Sequence, residues 1–159
     1  MSSEIERLLP HRDPFLFVDE IVEASNERIV AKYVFTENEF FFRGHFPEYP
    51  VVPGVILIET MAQSGGAGLR KLASSGSLAS ATRFSEAGES IDSSSLFFLA
   101  TVDKVKFRRQ VRPGEEVRSE IETLRISPQM IKQRGKAYVG NELTAEAEWM
   151  CLVQGAKSS

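Results

Sequence analysis

Alternation of apolar and polar side chains predicts β-strands in two blocks, separated by one long apolar segment. The first block contains strands at residues 15–24 and 28–36, joined by the turn-forming sequence SNER. The second block contains four strands, at residues 96–111, 116–126, 130–139 and 143–153. Sequences rich in Pro, Gly or Asn separate these four strands, as expected for reversals of an antiparallel sheet.

The segment between the two blocks, GVILIETMAQSGGAGLRKLA from Gly54, is apolar on nearly every side. This pattern predicts a helix that is enclosed by other elements. Ala62, Gly65 and Gly66 make one side of the helix thin, so we expect another part of the chain to approach it closely. A second, short helix is predicted at residues 5–9. Because no helix alternates with each strand, we expect an α+β fold in which a curved antiparallel sheet wraps around the long helix.

Two segments are predicted to lack regular structure. Pro47, Pro50 and Pro53 fix the backbone of the loop before the long helix, which we expect to be stiff and irregular. Residues 74–95 contain nine serines and predict a long, flexible loop. The chain of 159 residues is otherwise expected to form a single domain over residues 1–159.

The composition narrows the classes of function. The chain is 42% hydrophobic and has a formal net charge of −3, which disfavours nucleic acid or an anionic membrane as a partner. Its single cysteine, Cys151, excludes an internal disulfide and is expected to be a packing residue beside Trp149. No apolar run is long enough for a signal peptide or a membrane span, so we expect a cytoplasmic protein.

Four residues around the start of the long helix are candidates for chemistry. His45, in the proline-rich loop, is suited to proton transfer near neutral pH, although an ordinary loop histidine would look the same. Glu59 has mostly apolar helical neighbours, which predicts a raised pKa, unless it lies on a solvated strip of the helix. Gln63, one turn later, can hydrogen-bond that carboxyl group, and Gly54 offers a backbone N–H at the helix start.

Together these residues supply a base, an acid and an oxyanion site, which suits removal of a proton next to a carbonyl with loss of a leaving group. Glycine-rich nucleotide loops, zinc-protease helices and serine-hydrolase elbows are missing from the sequence. The remaining histidine, His11, is expected to brace the N-terminal segment, and no metal site is predicted.

Four stretches resemble the β-hydroxyacyl-(acyl carrier protein) dehydratases of the FabZ type. The most specific is GHFPEYPVVPGVILIETMAQ at residues 44–63, and the others are LLPHRDPFLFVDEI at 8–21, DKVKFRRQVRPGEEV at 103–117 and AEAEWM at 145–150. The resemblance implies a hot-dog fold and cofactor-free dehydration of (3R)-3-hydroxyacyl chains carried by acyl carrier protein. It also implies a homodimer, further assembled as a trimer of dimers.

The resemblance also implies a role for each candidate, in a site between two subunits. His45 would take the α-proton, and Glu59 of the facing subunit would protonate the departing hydroxyl group. Gly54 would bind the thioester oxygen, and Gln63 would steady Glu59. A sister type that also isomerises the product carries Asp in place of Glu59, so this chain is expected to dehydrate only. A hot-dog thioesterase and a non-catalytic acyl-binding subunit are the alternatives.

Two further expectations concern substrate access. Phe97 or Phe98 stands where the family usually has a gating tyrosine, so either could line the acyl tunnel. A stripe of positive residues, with three of them at alternate positions, could dock the acidic carrier protein or could simply protect a solvated strand edge. Its members are Lys104, Lys106, Arg108 and Arg109.

Overall fold

One long helix, α2 (Gly54–Ser74), is wrapped by a six-stranded sheet in the computed structural model, which describes residues 3–78 and 95–154. A short helix α1 (Glu4–Leu8) precedes the sheet, and a 3-10 turn (Phe40–Arg43) precedes α2. The strands are β1 (Glu20–Ala24), β2 (Ile29–Val34), β3 (Leu96–Phe107), β4 (Glu116–Ile126), β5 (Met130–Val139) and β6 (Glu142–Gln154).

The sheet is antiparallel throughout, in the order β1-β2-β4-β5-β6-β3. The chain therefore crosses from α2 to the far edge, where β3 pairs with the last strand, β6. Four of the five strand pairings contain a register shift, and such irregularities bend and twist strands. The predicted α+β arrangement of a curved antiparallel sheet around a central helix is confirmed.

Helix α2 is buried along most of its length because the sheet contacts it from β1 to β6. Its thin side allows this close packing: a Cβ atom on Gly66 would lie 3.0 Å from the Phe97 ring on β3. The core between the helix and the sheet includes the fully buried Met61, Val117 and Trp149. No helix in the described residues is long and apolar enough to cross a lipid bilayer.

Two predicted strand boundaries are wrong by several residues, because the backbone there bonds a partner that is distant in the sequence. β1 begins at Glu20 and not at residue 15, because a side chain of α2, not a neighbouring strand, bonds the backbone of Phe15 and Phe17. β3 ends at Phe107, where the N–H groups of the next two residues both bond the carbonyl of Thr144. The start of the loop before α2 forms the 3-10 turn. Most of the predicted serine-rich loop, residues 79–94, lies outside the described residues.

Candidate active site

His45 lies in the loop between the 3-10 turn and α2, and backbone hydrogen bonds fix this loop on both sides. Its N–H donates to the carbonyl of Phe41, and its own carbonyl accepts from Val51 at 3.0 Å. The ring nitrogen Nδ1 is 3.1 Å from the carbonyl oxygen of Val51. Because a carbonyl only accepts, Nδ1 carries the proton, which leaves the lone pair of Nε2 available as a base.

A cavity of about 590 Å³ opens beside His45. Gly54, the first residue of α2, lines it, and a helix start leaves the first backbone N–H groups without helical partners. The ring of Phe107 packs so closely on Gly54 that an added Cβ would lie 2.7 Å from it. Arg108 and Arg109 also line this cavity. A histidine base and a backbone N–H that can bind an oxyanion therefore share one cavity.

Glu59 lies in the second turn of α2 and is held by a single amide. Nε2 of Gln63 donates to Oε2 of Glu59 at 2.9 Å and also to the carbonyl of Phe15, while Oε1 of Gln63 accepts from the Phe17 N–H. These three contacts fix the orientation of the amide. Burial raises the pKa of Glu59, and the Gln63 hydrogen bond offsets part of that rise. Glu59 is therefore suited to keep a proton and donate it.

Glu59 faces a second, much smaller cavity of about 30 Å³. Its walls come from α2, β3, β6 and the segment after α1. The lining residues include Glu59, Gln63, His11, Arg70, Phe97 and Cys151. The predicted pair Glu59 and Gln63 is thus together, as is the predicted pair His45 and Gly54, but in one chain the two pairs line different cavities.

Phe97 and Phe98 differ in their positions. Phe97 lines the Glu59 cavity, and the guanidinium carbon of Arg70 lies 4.0 Å from the centre of its ring. Phe98, with 48% of its surface exposed, lines neither of the two cavities. Of the two candidates for the tunnel wall, only Phe97 is beside the acid.

His11 is the residue that sequence reasoning misplaced. Arg12, not His11, braces the N-terminal segment by donating to backbone carbonyls of Glu6 and Leu9. The His11 ring instead lies beside Glu59, where its Nε2 atom is 3.6 Å from Oε2 of Glu59. No local pattern shows this contact, because it joins residues 48 positions apart. A signal in the sequence that His11 could belong to the site is its position in the stretch LLPHRDPFLFVDEI, which carries part of the family resemblance.

Cys151 is buried on β6, as predicted, and also lines the Glu59 cavity. Burial, with a smaller contribution from Glu59, raises the pKa of its thiol to about 12. A thiol in this environment stays protonated near neutral pH and is a poor nucleophile.

The four residues of the predicted positive stripe lie at the end of β3 and just after it. A bulge with a positive φ of 53° at Lys104 interrupts the regular alternation, yet Lys104 still reaches Glu148 on the outer face of the sheet. Lys106 pairs in register with Glu146, which also forms an ion pair with Arg108. Glu115 holds Arg109 through two hydrogen bonds of 2.9 Å. The stripe therefore lies among carboxylates, and only Arg108 and Arg109 border the His45 cavity.

A partly buried carboxyl group with a raised pKa and a histidine with a free ring nitrogen are typical of an acid–base enzyme. The chain belongs to the FabA-like domain family, which matches residues 9–148. It is 43% identical over 151 residues to 3-hydroxyacyl-(acyl-carrier-protein) dehydratase FabZ of Desulforamulus reducens, a match that covers 94% of each chain. The enzyme of the same name from Pelotomaculum thermopropionicum is 41% identical and covers 96% of this chain and 97% of its own. The resemblance noted from the motifs is confirmed.

Solved structures agree on the fold. A dehydratase heterocomplex, ApeI:P, from Xenorhabdus doucetiae matches with a TM-score of 0.70 at 16% identity, covering 98% of this chain and 93% of the other. A hypothetical thioesterase from Streptococcus pneumoniae, solved with coenzyme A, matches with a TM-score of 0.56 at 9% identity, covering 87% and 88%. The expected hot-dog fold is confirmed. A protein named as a dehydratase and a protein named as a thioesterase both share this fold.

Proposed function

We propose that the protein is a hydro-lyase that converts (3R)-3-hydroxyacyl chains on acyl carrier protein to trans-2-enoyl chains and water in fatty acid biosynthesis. The observation that carries this proposal is the Glu59 carboxyl group, partly buried and held by Gln63, in a chain 43% identical to a FabZ dehydratase. We place the reaction in the cytoplasm, where a free thiol such as that of Cys151 stays reduced.

In the proposed reaction, Nε2 of His45 takes a proton from the α-carbon of the substrate, and the backbone N–H of Gly54 stabilises the charge on the thioester oxygen. The electrons of the broken C–H bond form the double bond between the α- and β-carbons. Glu59 gives its proton to the β-hydroxyl oxygen as the C–O bond breaks, so that water leaves. The raised pKa of Glu59 supports this role, since only the protonated carboxyl group can donate.

A homodimer accounts for the separation of His45 and Glu59 into two cavities. Strand β3 is one of the two edges of the sheet, and it exposes apolar side chains that a second copy would cover. These side chains are Phe98, Leu99, Val102 and Phe107. Pairing two copies through this edge would bring the His45 cavity of one toward the Glu59 cavity of the other. Assembly of such dimers into a trimer of dimers stays a prediction from the resemblance.

Acyl carrier protein is the proposed macromolecular partner, and it would dock near Arg108 and Arg109 at the His45 cavity. Carrier proteins are acidic, so cations at this edge would favour encounter. Lys104 and Lys106 extend the same surface along β3. Ion pairs of Lys104 with Glu148 and of Arg108 with Glu146 reduce the local positive charge, so we expect steering more than tight binding.

A hot-dog thioesterase is the second candidate, because the fold alone does not separate the two chemistries. The separating experiment mixes the purified protein with a 3-hydroxyacyl carrier thioester and follows both enoyl absorbance and free thiol. Enoyl product without thiol release supports the proposal, whereas thiol release without enoyl product would mean hydrolysis. If neither appears, the result supports the remaining alternative, a non-catalytic acyl-binding subunit.

A further inference from the structure

A histidine that the reaction above does not use lies against the proposed acid. The Nε2 atom of His11 is 3.6 Å from Oε2 of Glu59. This separation is about half an ångström longer than an ordinary N–H···O hydrogen bond. Catalytic contacts are often this long in unliganded enzymes and shorten once the substrate is bound.

The surroundings of His11 keep its ring neutral. Burial lowers the pKa of His11, and the charges of Arg70 and Arg12 lower it further. Arg70 is itself fixed, because it donates to the carbonyls of Leu8 and Ser95 and lies over the ring of Phe97. An imidazolium placed beside two guanidinium groups in a partly buried site would be unfavourable. His11 and Glu59 are therefore not an ion pair at neutral pH.

Among the elements packed around His11 and Glu59, only α2 adds a further charge in the described part of the cavity wall. Strand β6 contributes Cys151, whose thiol is protonated near neutral pH because burial raises its pKa to about 12. Strand β3 contributes the apolar side chains of Phe97 and Leu99. Helix α2 contributes the neutral amide of Gln63 and the cation of Arg70.

The environment of Nδ1 shows which nitrogen of the neutral His11 ring carries the proton. Nδ1 is buried and has no hydrogen-bond partner among the residues that the structure describes. A buried N–H without an acceptor would be costly, so the lone pair occupies Nδ1 and the proton lies on Nε2. The Nε2–H group is therefore the part of the ring that faces Oε2 of Glu59.

We propose that His11 is a positioning residue for Glu59, which directs its Nε2–H to the same oxygen, Oε2, that accepts from Gln63. With Oε2 engaged by two donors, the transferable proton is confined to Oε1. When that proton moves to the leaving hydroxyl oxygen, both donors stabilise the carboxylate that remains. His11 itself gains and loses no proton in this step, and the inference rests on the proposed dehydratase function.

The test compares His11→Phe, which keeps a ring but has no donor, with His11→Gln, which restores an N–H group. Loss of a hydrogen bond to a charged group predicts a fall in kcat of about 10- to 100-fold for His11→Phe, with little change in KM. The alkaline limb of the pH profile moves to higher pH, since losing a donor raises the pKa of Glu59. His11→Gln recovers most of kcat and the original limb.

Arg12→Ala is the matched control, because Arg12 braces the same segment through the carbonyls of Glu6, Leu9 and His11. A purely structural role for His11 predicts that His11→Phe behaves like Arg12→Ala, with a lower Tm and an unmoved alkaline limb, and this result overturns the proposal. His11→Leu serves as a second donor-free variant if His11→Phe does not fold.

A measurement without turnover separates this proposal from the proposed function. The ¹³C carboxyl signal of Glu59, identified by its absence in Glu59→Gln, is titrated by NMR in the full chain. We expect its midpoint to rise in His11→Phe and to return in His11→Gln. An unchanged midpoint overturns the positioning role of His11, whereas failure of the unmodified protein to form enoyl product overturns the dehydratase function.

Discussion

His45 and Glu59 line two separate cavities of the same chain, His45 with Gly54 at the start of α2 and Glu59 with Gln63 one turn further on. Dehydration needs a base that reaches the proton on the α-carbon and an acid that reaches the hydroxyl oxygen on the neighbouring β-carbon of the same substrate. A second copy that places its Glu59 cavity against the His45 cavity of the first would complete two equivalent sites.

This arrangement predicts complementation between inactive variants. His45→Ala and Glu59→Gln should each lose about 10²- to 10⁴-fold in kcat, the usual contribution of a positioned acid or base. Refolded together in equal amounts, they should recover about a quarter of wild-type activity, since half of the dimers are mixed and one of their two sites is intact. Enoyl formation measures the activity, and native mass spectrometry measures the mixed dimers.

The matched control for complementation mixes His45→Ala with the double variant His45→Ala, Glu59→Gln. No pairing of these two chains contains an intact site, so no activity should return. If the first mixture forms mixed dimers and stays inactive, the shared site is wrong.

The close packing of Phe107 on Gly54 predicts a specific steric effect. In Gly54→Ala the new Cβ would lie 2.7 Å from the ring, whereas Gly44→Ala has no atom within 4 Å of its Cβ. Phe107 is 53% exposed in the single chain, where its ring is free to turn aside, but it is covered in the proposed dimer. Overpacking there costs about 1–3 kcal/mol, so Gly54→Ala should unfold at a lower temperature and lose activity. Gly44→Ala should keep its Tm. Addition of Phe107→Leu to Gly54→Ala should restore much of the Tm, and equal Tm values for the two alanine variants would contradict the steric argument.

The parts of the fold that a regular pattern encodes were predictable. β4 and β5 have the predicted bounds, and α2 begins where predicted and ends one residue later, because burial follows periods of two and 3.6 residues. The predicted strand at residues 15–24 failed in its first half for a different reason. There, Gln63 replaces the neighbouring strand as the hydrogen-bond partner of the backbone, and no local periodicity encodes a partner on α2.

The site was predictable only in part for the same reason. Glu59 and Gln63 are one helical turn apart, so their contact follows from spacing alone. The approach of His11 to Glu59 depends on how the segment after α1 crosses α2, which is a tertiary contact. The division of the site between two cavities likewise follows from the path of the sheet and not from a motif.

The raised pKa of Glu59 predicts a pH-dependent stability difference between the protein and Glu59→Gln. The folded state holds this proton more tightly than the unfolded state does. The protonated carboxyl group therefore contributes its full stability at pH values below the pKa that Glu59 has in the unfolded chain. This contribution is lost as the pH rises through the folded pKa. Glu59→Gln carries no charge to bury, so it should be the more stable protein at pH 8 but not at pH 4.

Thermal unfolding across this pH range measures the difference. Each unit by which the pKa is raised is equivalent to about 1.4 kcal/mol. About 1 kcal/mol shifts the Tm of a chain of this size by about 2–4 °C. A Tm difference that does not grow from pH 4 to pH 8 would show that Glu59 is not strained by burial, and would remove the argument for its role as an acid.

The positive stripe predicts a defect that depends on the size of the substrate. Charge reversal of Lys104, Lys106 and Arg108 should raise KM for a carrier-bound substrate about tenfold or more at low salt, because electrostatic encounter is lost. A small thioester analogue without the carrier should be turned over normally. The matched control reverses Lys132, Arg134 and Lys136, three cations at alternate positions of β5 that do not line the His45 cavity. Both variants lose ion pairs with glutamates, so an equal rise in KM for the two, or an equal effect on both substrates, would mean that the stripe only protects a solvated edge.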